Sequence, residues 1–374
     1  MRTLLITNDF PPRPGGIQAF VHQLALRQPA DSVVVYASTS EGAAEFDAAQ
    51  PFPVVREDTG ILLPTTAVAR RAAQIARSHG CEAVWFGAAA PLGLLAQGLR
   101  RRAGVRRVVG LTHGHEVGWA KLPGARGLLR RIGAGADVIT YLGEYTRVRL
   151  ARALAGRTEL RQLAPGVDAD IFHPGVDGAS LRSRLGLADR PVVVCVSRLV
   201  PRKGQDALIH ALPQIRQRTP DAALLLVGDG PYRGALQRMA RERGVADHVV
   251  FTGPVPWPEL PAHYAAGDVY AMPCRTRRRG LDVEGLGIVY LEASAIGLPV
   301  VAGDSGGAPD AVREGETGHV VNGRDLDALT TRVTGLLDDP DRARLMGAVG
   351  RRWVRREWGW QRQADRLRDL LAVA

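Results

Sequence analysis

Ten short apolar runs, each followed by a segment of roughly helical length, constrain this chain more than any other feature. In the first half they are Leu4 to Thr7, Val33 to Ala37, Ala83 to Phe86, Val108 to Leu111 and Val138 to Tyr141. In the second they are Val192 to Val196, Ala223 to Val227, Val249 to Thr252, Val269 to Met272 and Val300 to Ala302. Such runs, regularly separated by helical patterns, are the mark of βα units and parallel sheets. Two runs of five predict two α/β domains, joined at Pro165 to Pro174, where Pro, Gly and Asp cluster and the period breaks. A length of 374 residues agrees, since one domain takes about 100–200 residues.

The most informative chemistry lies after the run Val269 to Met272. Glu284 precedes Gly285-Leu286-Gly287, a helical pattern opens at Ile288-Val289, and Glu292 follows. A helix starting there has free N–H groups and a positive dipole end at Gly287, Ile288 and Val289, and the glycines let an anion approach: a phosphate seat. Eight helical residues rise about 12 Å, so Glu284 and Glu292 flank that seat. Carboxylates accept hydroxyl hydrogen bonds, and a nucleotide-sugar carries hydroxyl-bearing rings at both ends of its diphosphate. One glutamate is then suited to the sugar and the other to the ribose. Both could equally be solvated acids at a helix start.

A second segment favours the ligand reading. Ser197-Arg198-Leu199-Val200-Pro201-Arg202-Lys203-Gly204 follows the run ending at Val196, which places Arg198 and Lys203 at the carboxyl end of a buried strand, where open α/β sheets bind ligands. Arg clamps phosphate oxygens and Lys adds a point charge. Gly15-Gly16, opening a helix after the proline-rich loop Asn8 to Pro14, offers a further set of free N–H groups. His113 and His115 follow the run ending at Leu111; two histidines two apart without a third ligand argue against a metal. Cys81, Cys195 and Cys274 lack paired spacing, which argues against disulfides and zinc.

The formal charge is +11, and it is uneven. Residues 1–168 hold 21 Lys and Arg against 13 Asp and Glu, a net of +8; the remainder hold 28 against 25, a net of +3. The excess clusters at Arg70, Arg71 and Arg77, at Arg100, Arg101, Arg102, Arg106 and Arg107, and at Arg126, Arg130 and Arg131. Basic segments of this kind are drawn to anionic membrane surfaces at about 1 kcal/mol per cation. The basicity also raises nucleic-acid binding, but no aromatic-basic interleaving or reader motif accompanies it. No apolar run approaches the roughly 20 residues that span a bilayer, and the start reads as a first strand rather than a signal peptide, so a cytoplasmic protein is expected.

With Arg198 and Lys203, Glu284 and Glu292, Gly15-Gly16, and Pro165-Gly166-Val167-Asp168 with Phe172 and Pro174, the chain resembles the family 4 retaining glycosyltransferases of the two-domain GT-B fold. More narrowly, it resembles the actinobacterial phosphatidylinositol-monomannoside mannosyltransferases, through Thr7 to Pro12, Val84 to Leu92, Thr112 to Trp119, Arg198 to Asp206 and Leu281 to Glu292. The resemblance implies two Rossmann-like domains facing across a cleft: 1–168 for the acceptor, 169–352 for the nucleotide-sugar, and a final helix, 353–374, crossing back to the first. It implies GDP-mannose as donor, a phosphatidylinositol monomannoside as acceptor, and no cofactor or metal. The protein would act at the inner face of the plasma membrane, held peripherally.

The same resemblance implies roles for residues. Arg198, Lys203, Glu284 and His113 would be catalytic, with His113 near the donor sugar and its anomeric carbon. Gly16, Val255 in the loop Gly253-Pro254-Val255, Gly287, Ile288, Val289 and Glu292 would complete the donor site. Asp9 and His115 would lie on the acceptor side. Another family 4 transferase with a different nucleotide-sugar or a soluble acceptor, and a nucleotide-sugar 2-epimerase of the same architecture, are the competing readings.

Overall fold

A computed structural model describes residues 1–154, 156 and 158–373. The chain forms two compact units, Met1–Gly166 together with the segment from Trp360 onward, and Val167–Gly359.

The sheet of the first unit contains β1 (Arg2–Thr7), β2 (Val33–Ser38), β3 (Val54–Glu57), β4 (Cys81–Phe86), β5 (Arg107–Gly110), β6 (Val138–Tyr141) and β7 (Glu159–Gln162). All pairings are parallel, in the order β3-β2-β1-β4-β5-β6-β7. Leu4 of β1 lies opposite Val34 on one side and Val84 on the other. The second unit holds β8 (Val192–Val196), β9 (Ala223–Val227), β10 (Val249–Gly253), β11 (Val269–Met272), β12 (Val300–Gly303) and β13 (Gly318–Val321), again parallel, in the order β10-β9-β8-β11-β12-β13.

Central strands are apolar because both faces are covered: every residue of β2, β8, β9, β11 and β12 is buried. Each fully buried Val, Leu or Ile contributes about 1.5–3 kcal/mol, so these strands form the cores of their units. In both sheets chain order reverses beside the first strand, between β1 and β4 and between β8 and β11. Loops leaving such a pair diverge and open a crevice at the carboxyl ends of the strands.

All ten expected strands form, but seven and six strands replace five and five. The additional β3, β7 and β13 are all sheet edges. Edge strands are covered less completely: β3 is half-buried throughout, and β7 alternates exposed with half-buried residues, so Arg56-Glu57 and Glu159 to Gln162 give no apolar run.

The tail also differs from its expected form. Residues from Trp353 onward do not make one helix: the helix Pro340–Glu357 ends, and another begins at Trp360 and runs to Leu371. The chain is diverted at Trp358-Gly359, where Val167 N–H donates to the Trp358 carbonyl at 2.8 Å and Val167 bridges Gly359. Trp353 therefore stays in the second unit, edge to face with Trp358 at 5.7 Å. The division falls at Gly166/Val167 and Gly359/Trp360 rather than after 168 and 352. The last helix belongs to the first unit, where the Arg107 guanidinium donates to the Leu370 carbonyl at 2.8 Å and Trp360 packs 6.1 Å from Phe20.

Candidate active site

In the second unit, the loop leaving β8 carries Arg198 and Lys203, and the segment leaving β11 carries Glu284 and the turn to Gly287. These strands are neighbours at the reversal of strand order, so residues distant in sequence meet there. Lys203 Nζ is 2.7 Å from Glu284 Oε2, and Arg202 Nη1 is 2.5 Å from the same oxygen. Arg202 Nε reaches Asp282 Oδ1 at 3.1 Å. Lys203 and Glu284 are both buried. Lys203 was expected beside a phosphate and Glu284 beside hydroxyls; the structure pairs the two with each other.

Arg198 is different. Its side chain is exposed and makes no ion pair among the described residues, while its carbonyl accepts from the buried Gln205 amide at 3.0 Å. Gln205 also donates to Ser197 Oγ at 2.8 Å, so the loop backbone is fixed and the guanidinium is left available.

The helix Ile288–Ile296 opens at Gly287, a left-handed residue with φ 78° and no side-chain cap. Among the described residues no acceptor meets the N–H groups of Gly287, Ile288 and Val289, the three donors expected to hold an anion. Beside them, Gly306 has φ +59°, and a Cβ there would lie 2.0 Å from the Glu284 carbonyl. Gly307 N–H donates to that carbonyl at 3.0 Å, and Glu284 N–H donates to Ser305 Oγ at 3.3 Å. The loop after β12 therefore locks the backbone of Glu284.

Glu292 is half-buried in the second turn of the helix, and the Tyr264 hydroxyl donates to its Oε2 at 2.6 Å. Burial pushes its carboxyl above the ordinary value, and the Tyr264 hydrogen bond pulls it partly back. Val255 is half-buried in the loop after β10; Gly253 in that loop accepts from Gly228 N–H at 3.0 Å, joining the ends of β9 and β10.

The first unit gathers its candidates at its own reversal. Asp9 follows β1 and accepts from Gln18 Nε2 at 2.9 Å; Gln18 is in the first turn of the helix Gly16–Leu26, whose amino end has no side-chain cap and has open space at Gly16. His113 follows β5. Its Nε2 donates to the Gly87 carbonyl at the end of β4, 2.5 Å away, which leaves Nδ1 as the acceptor of the neutral ring. Burial lowers its pKa below the ordinary 6.5, with Glu116 opposing. Glu116 is fully buried and its Oε2 accepts from His113 N–H at 3.0 Å and Gly114 N–H at 3.1 Å, while the exposed His115 lies 3.2 Å from Oε1. Among the described residues no group of three or more His, Cys, Asp or Glu converges as a metal set would.

Sequence reasoning missed Arg202, Ser305 and Tyr264. Arg202 was visible within its segment without a role; Tyr264 lies on another helix, Leu260–Ala265, and nothing local tied it to Glu292.

Comparison with known proteins covers both units. The model described as Glycosyltransferase Family 4 matches residues 14–171, and that described as Glycosyl transferases group 1 matches residues 179–353. A GDP-mannose-dependent alpha-(1-6)-phosphatidylinositol monomannoside mannosyltransferase of Mycolicibacterium smegmatis is 57% identical, over 99% of this chain and 98% of its own. Its namesake in Mycobacterium tuberculosis is 53% identical over the same shares. A GDP-mannose-dependent monoacylated alpha-(1-6)-phosphatidylinositol monomannoside mannosyltransferase of Corynebacterium glutamicum is 47% identical, over 99% and 97%. Among solved structures, Anabaena Alr3699/HepE in complex with UDP has a TM-score of 0.82 at 20% identity, covering 99% of each chain, a likeness of fold.

Proposed function

The chain belongs to the family 4 glycosyltransferases, and on that premise we propose that it transfers mannose from GDP-mannose to a phosphatidylinositol monomannoside, adding the second mannose in α-(1-6) linkage with retention. The observation that carries this reading is that the likeness to mannosyltransferases of that name, at 57% and 53% identity, extends over 99% of this chain and so over both units.

The geometry supports a division of labour. The diphosphate rests on the N–H groups of Gly287, Ile288 and Val289, with Arg198 and Lys203 beside it; Glu284 takes sugar hydroxyls and Glu292 the ribose. As the bond from the anomeric carbon to the diphosphate oxygen breaks, negative charge grows on that oxygen, and preorganised cations and N–H groups stabilise it. The acceptor hydroxyl attacks from the same face, the new glycosidic bond forms, and the departing diphosphate takes the hydroxyl proton. No cofactor or metal is required in this scheme. In the first unit, His113 has its pKa lowered by burial and, with Nε2 on the Gly87 carbonyl, keeps Nδ1 as an acceptor.

A lipid acceptor calls for a membrane surface, and the first unit has one suited to it. On the helix Thr66–Ser78, Val68, Ala69, Ala72, Ala73, Ile75 and Ala76 are buried, while Arg70, Arg71 and Arg77 face outward. Ile61 and Leu63, just before it, are 57% and 51% exposed. No helix of the described residues is long and apolar enough to cross a membrane. Peripheral attachment to the inner face of the plasma membrane, by arginines on anionic headgroups and apolar side chains beneath them, fits both observations.

The test is incubation with radiolabelled GDP-mannose and phosphatidylinositol monomannoside in anionic lipid, followed by lipid chromatography. A labelled dimannoside is expected; label in a water-soluble product, or none with GDP-mannose but some with another nucleotide-sugar, overturns the reading.

A further inference from the structure

We infer that Tyr264 is a positioning residue for the donor site: its buried hydroxyl fixes the carboxylate of Glu292 through Oε2 and so leaves Oε1 to the ribose. The inference rests on the reading of Glu292 as the ribose acceptor.

Tyr264 is fully buried, and its hydroxyl donates to Glu292 Oε2 at 2.6 Å. The ring has little freedom to do otherwise. It packs edge to face against Phe172 at 5.8 Å and tilted against Tyr270 at 5.7 Å, and Tyr270 meets Tyr290 edge to face at 5.8 Å. The ladder is anchored at its other members: Tyr270 donates to the Val196 carbonyl at the end of β8 at 3.1 Å, and Tyr290 to the Met272 carbonyl at the end of β11 at 2.7 Å. The strands that present Lys203 and Glu284 thus also define where the Tyr264 hydroxyl lies. A ribose diol needs one oriented acceptor, and a carboxylate with one oxygen held in place supplies it without losing rotamer freedom on binding.

The protonation of Glu292 depends on the same bond. Burial raises its pKa and Tyr264 lowers it. Titratable groups on the packed elements include Tyr270 of β11, Cys195 of β8, His263 of the helix Leu260–Ala265, Tyr290 of the helix Ile288–Ile296, Arg351 among the charged residues of the helix Pro340–Glu357, and Asp310 of the turn after β12. Tyr270 is pushed well above its ordinary value and Cys195 up to about 12, so both are neutral; Arg351 donates to the carbonyls of Phe172 and Ala295. An ionised carboxylate is the stronger acceptor, so donor affinity is full above the pKa of Glu292 and is lost as pH falls through it. Removing the hydroxyl that lowers this pKa moves the loss to higher pH.

The experiment is calorimetric GDP binding to the parent, Tyr264→Phe, Glu292→Gln and the double variant, from pH 5.5 to 8, with kcat and KM for GDP-mannose. Phe keeps the ring packing. Tyr264→Phe is expected to weaken GDP about tenfold and raise KM far more than it lowers kcat, consistent with loss of one hydrogen bond to a charged group. Its acid loss of affinity should begin at higher pH than in the parent, and Tyr264→Phe should add little once Glu292 is Gln. Unchanged GDP affinity in Glu292→Gln would refute the ribose reading, and the inference with it. Weakened binding in Glu292→Gln, with Tyr264→Phe either without effect or fully additive to it, would overturn the inference alone.

Discussion

Lys203 Nζ and Glu284 Oε2 stand 2.7 Å apart in a buried pair, and Arg202 shares the same carboxylate oxygen. With Asp282 on Arg202 as well, two carboxylates balance these two cations, and the exposed Arg198, without an ion pair among the described residues, adds the positive charge that suits an incoming diphosphate. A buried ion pair is weak evidence for stability, because desolvation offsets much of the attraction. In the mechanism proposed above, its use is to hold a lysine in place before the donor arrives. Arg202, braced by Asp282, would keep Glu284 compensated if Lys203 turned to a phosphate as proposed.

Gly306 tests how tightly that arrangement is held. Gly306→Ala puts a Cβ 2.0 Å from the Glu284 carbonyl at a φ of +59°. Overpacking and backbone strain of this kind cost about 1–3 kcal/mol each. A lower melting temperature and a weaker GDP affinity are expected together, because the displaced group is the backbone of Glu284, which is proposed to hold the donor. Parent-like affinity would show that the loop after β12 does not position Glu284.

His113 gives a pH dependence whose sign follows from burial. Its folded pKa lies below the unfolded 6.5, so between the two values the unfolded chain binds a proton that the folded chain does not. Stability must then fall as pH drops below 6.5, at up to about 1.4 kcal/mol per pH unit for one group. His22, lowered by burial as well, adds to the parent slope. His113→Asn should flatten the decline between pH 7 and 5.5 in thermal or denaturant unfolding, and an unchanged slope would remove His113 from the account.

Much of this was readable in the chain because the informative features are local. The run Val192 to Val196 announces a covered strand, and the cations after it must lie at its carboxyl end. Gly287 before Ile288 announces a helix start that can seat an anion. What could not be read depends on which strands become neighbours. Lys203 and Glu284 were each singled out, yet their pairing follows from β8 lying beside β11, and strand order has no local signature. Tyr264 was silent for the same reason, since a buried tyrosine reads as core until its hydroxyl is seen on Glu292. The edge strands β3 and β7 were missed because a half-covered strand need not be apolar. The break at Trp358 was missed because a backbone bond to Val167 makes it, leaving no mark beyond Gly359.

Membrane attachment should be electrostatic first. The +8 of residues 1–168 is the attraction, and a Debye length of about 8 Å at physiological salt falls to about 3 Å at 1 M. Sedimentation with vesicles is expected to need anionic lipid and to be reversed by salt; equal binding to neutral vesicles would count against it. Charge reversal at Arg70, Arg71 and Arg77 should lower turnover of the lipid acceptor while leaving GDP affinity unchanged, since these arginines are in the first unit and the proposed donor groups named above are mostly in the second.

The last expectation concerns how the leaving diphosphate is neutralised. Arg198 is exposed and has no ion pair among the described residues, and Lys203 is buried against Glu284, so in the proposed mechanism the two cations would reach the phosphate by different routes. Arg198 would require no partner exchange, whereas Lys203 would have to pass from carboxylate to phosphate, with Arg202 retaining Glu284. Charge on the bridging oxygen is greatest in the transition state, so both should act more on kcat than on binding. Arg198→Ala and Lys203→Ala are each expected to lower kcat by about 10²-fold or more, the usual loss for one preorganised electrostatic contact. Lys203→Ala should not unfold the protein, because Arg202 still compensates the buried carboxylate. Arg202→Ala removes the brace between Glu284 and Asp282, so it should impair both stability and turnover. Chelators should leave the parent unaffected if these groups do the work a metal ion does elsewhere. Full activity in Lys203→Ala, or parent activity abolished by EDTA and restored by Mg²⁺ or Mn²⁺, would show that the leaving group is neutralised by something other than the cations after β8.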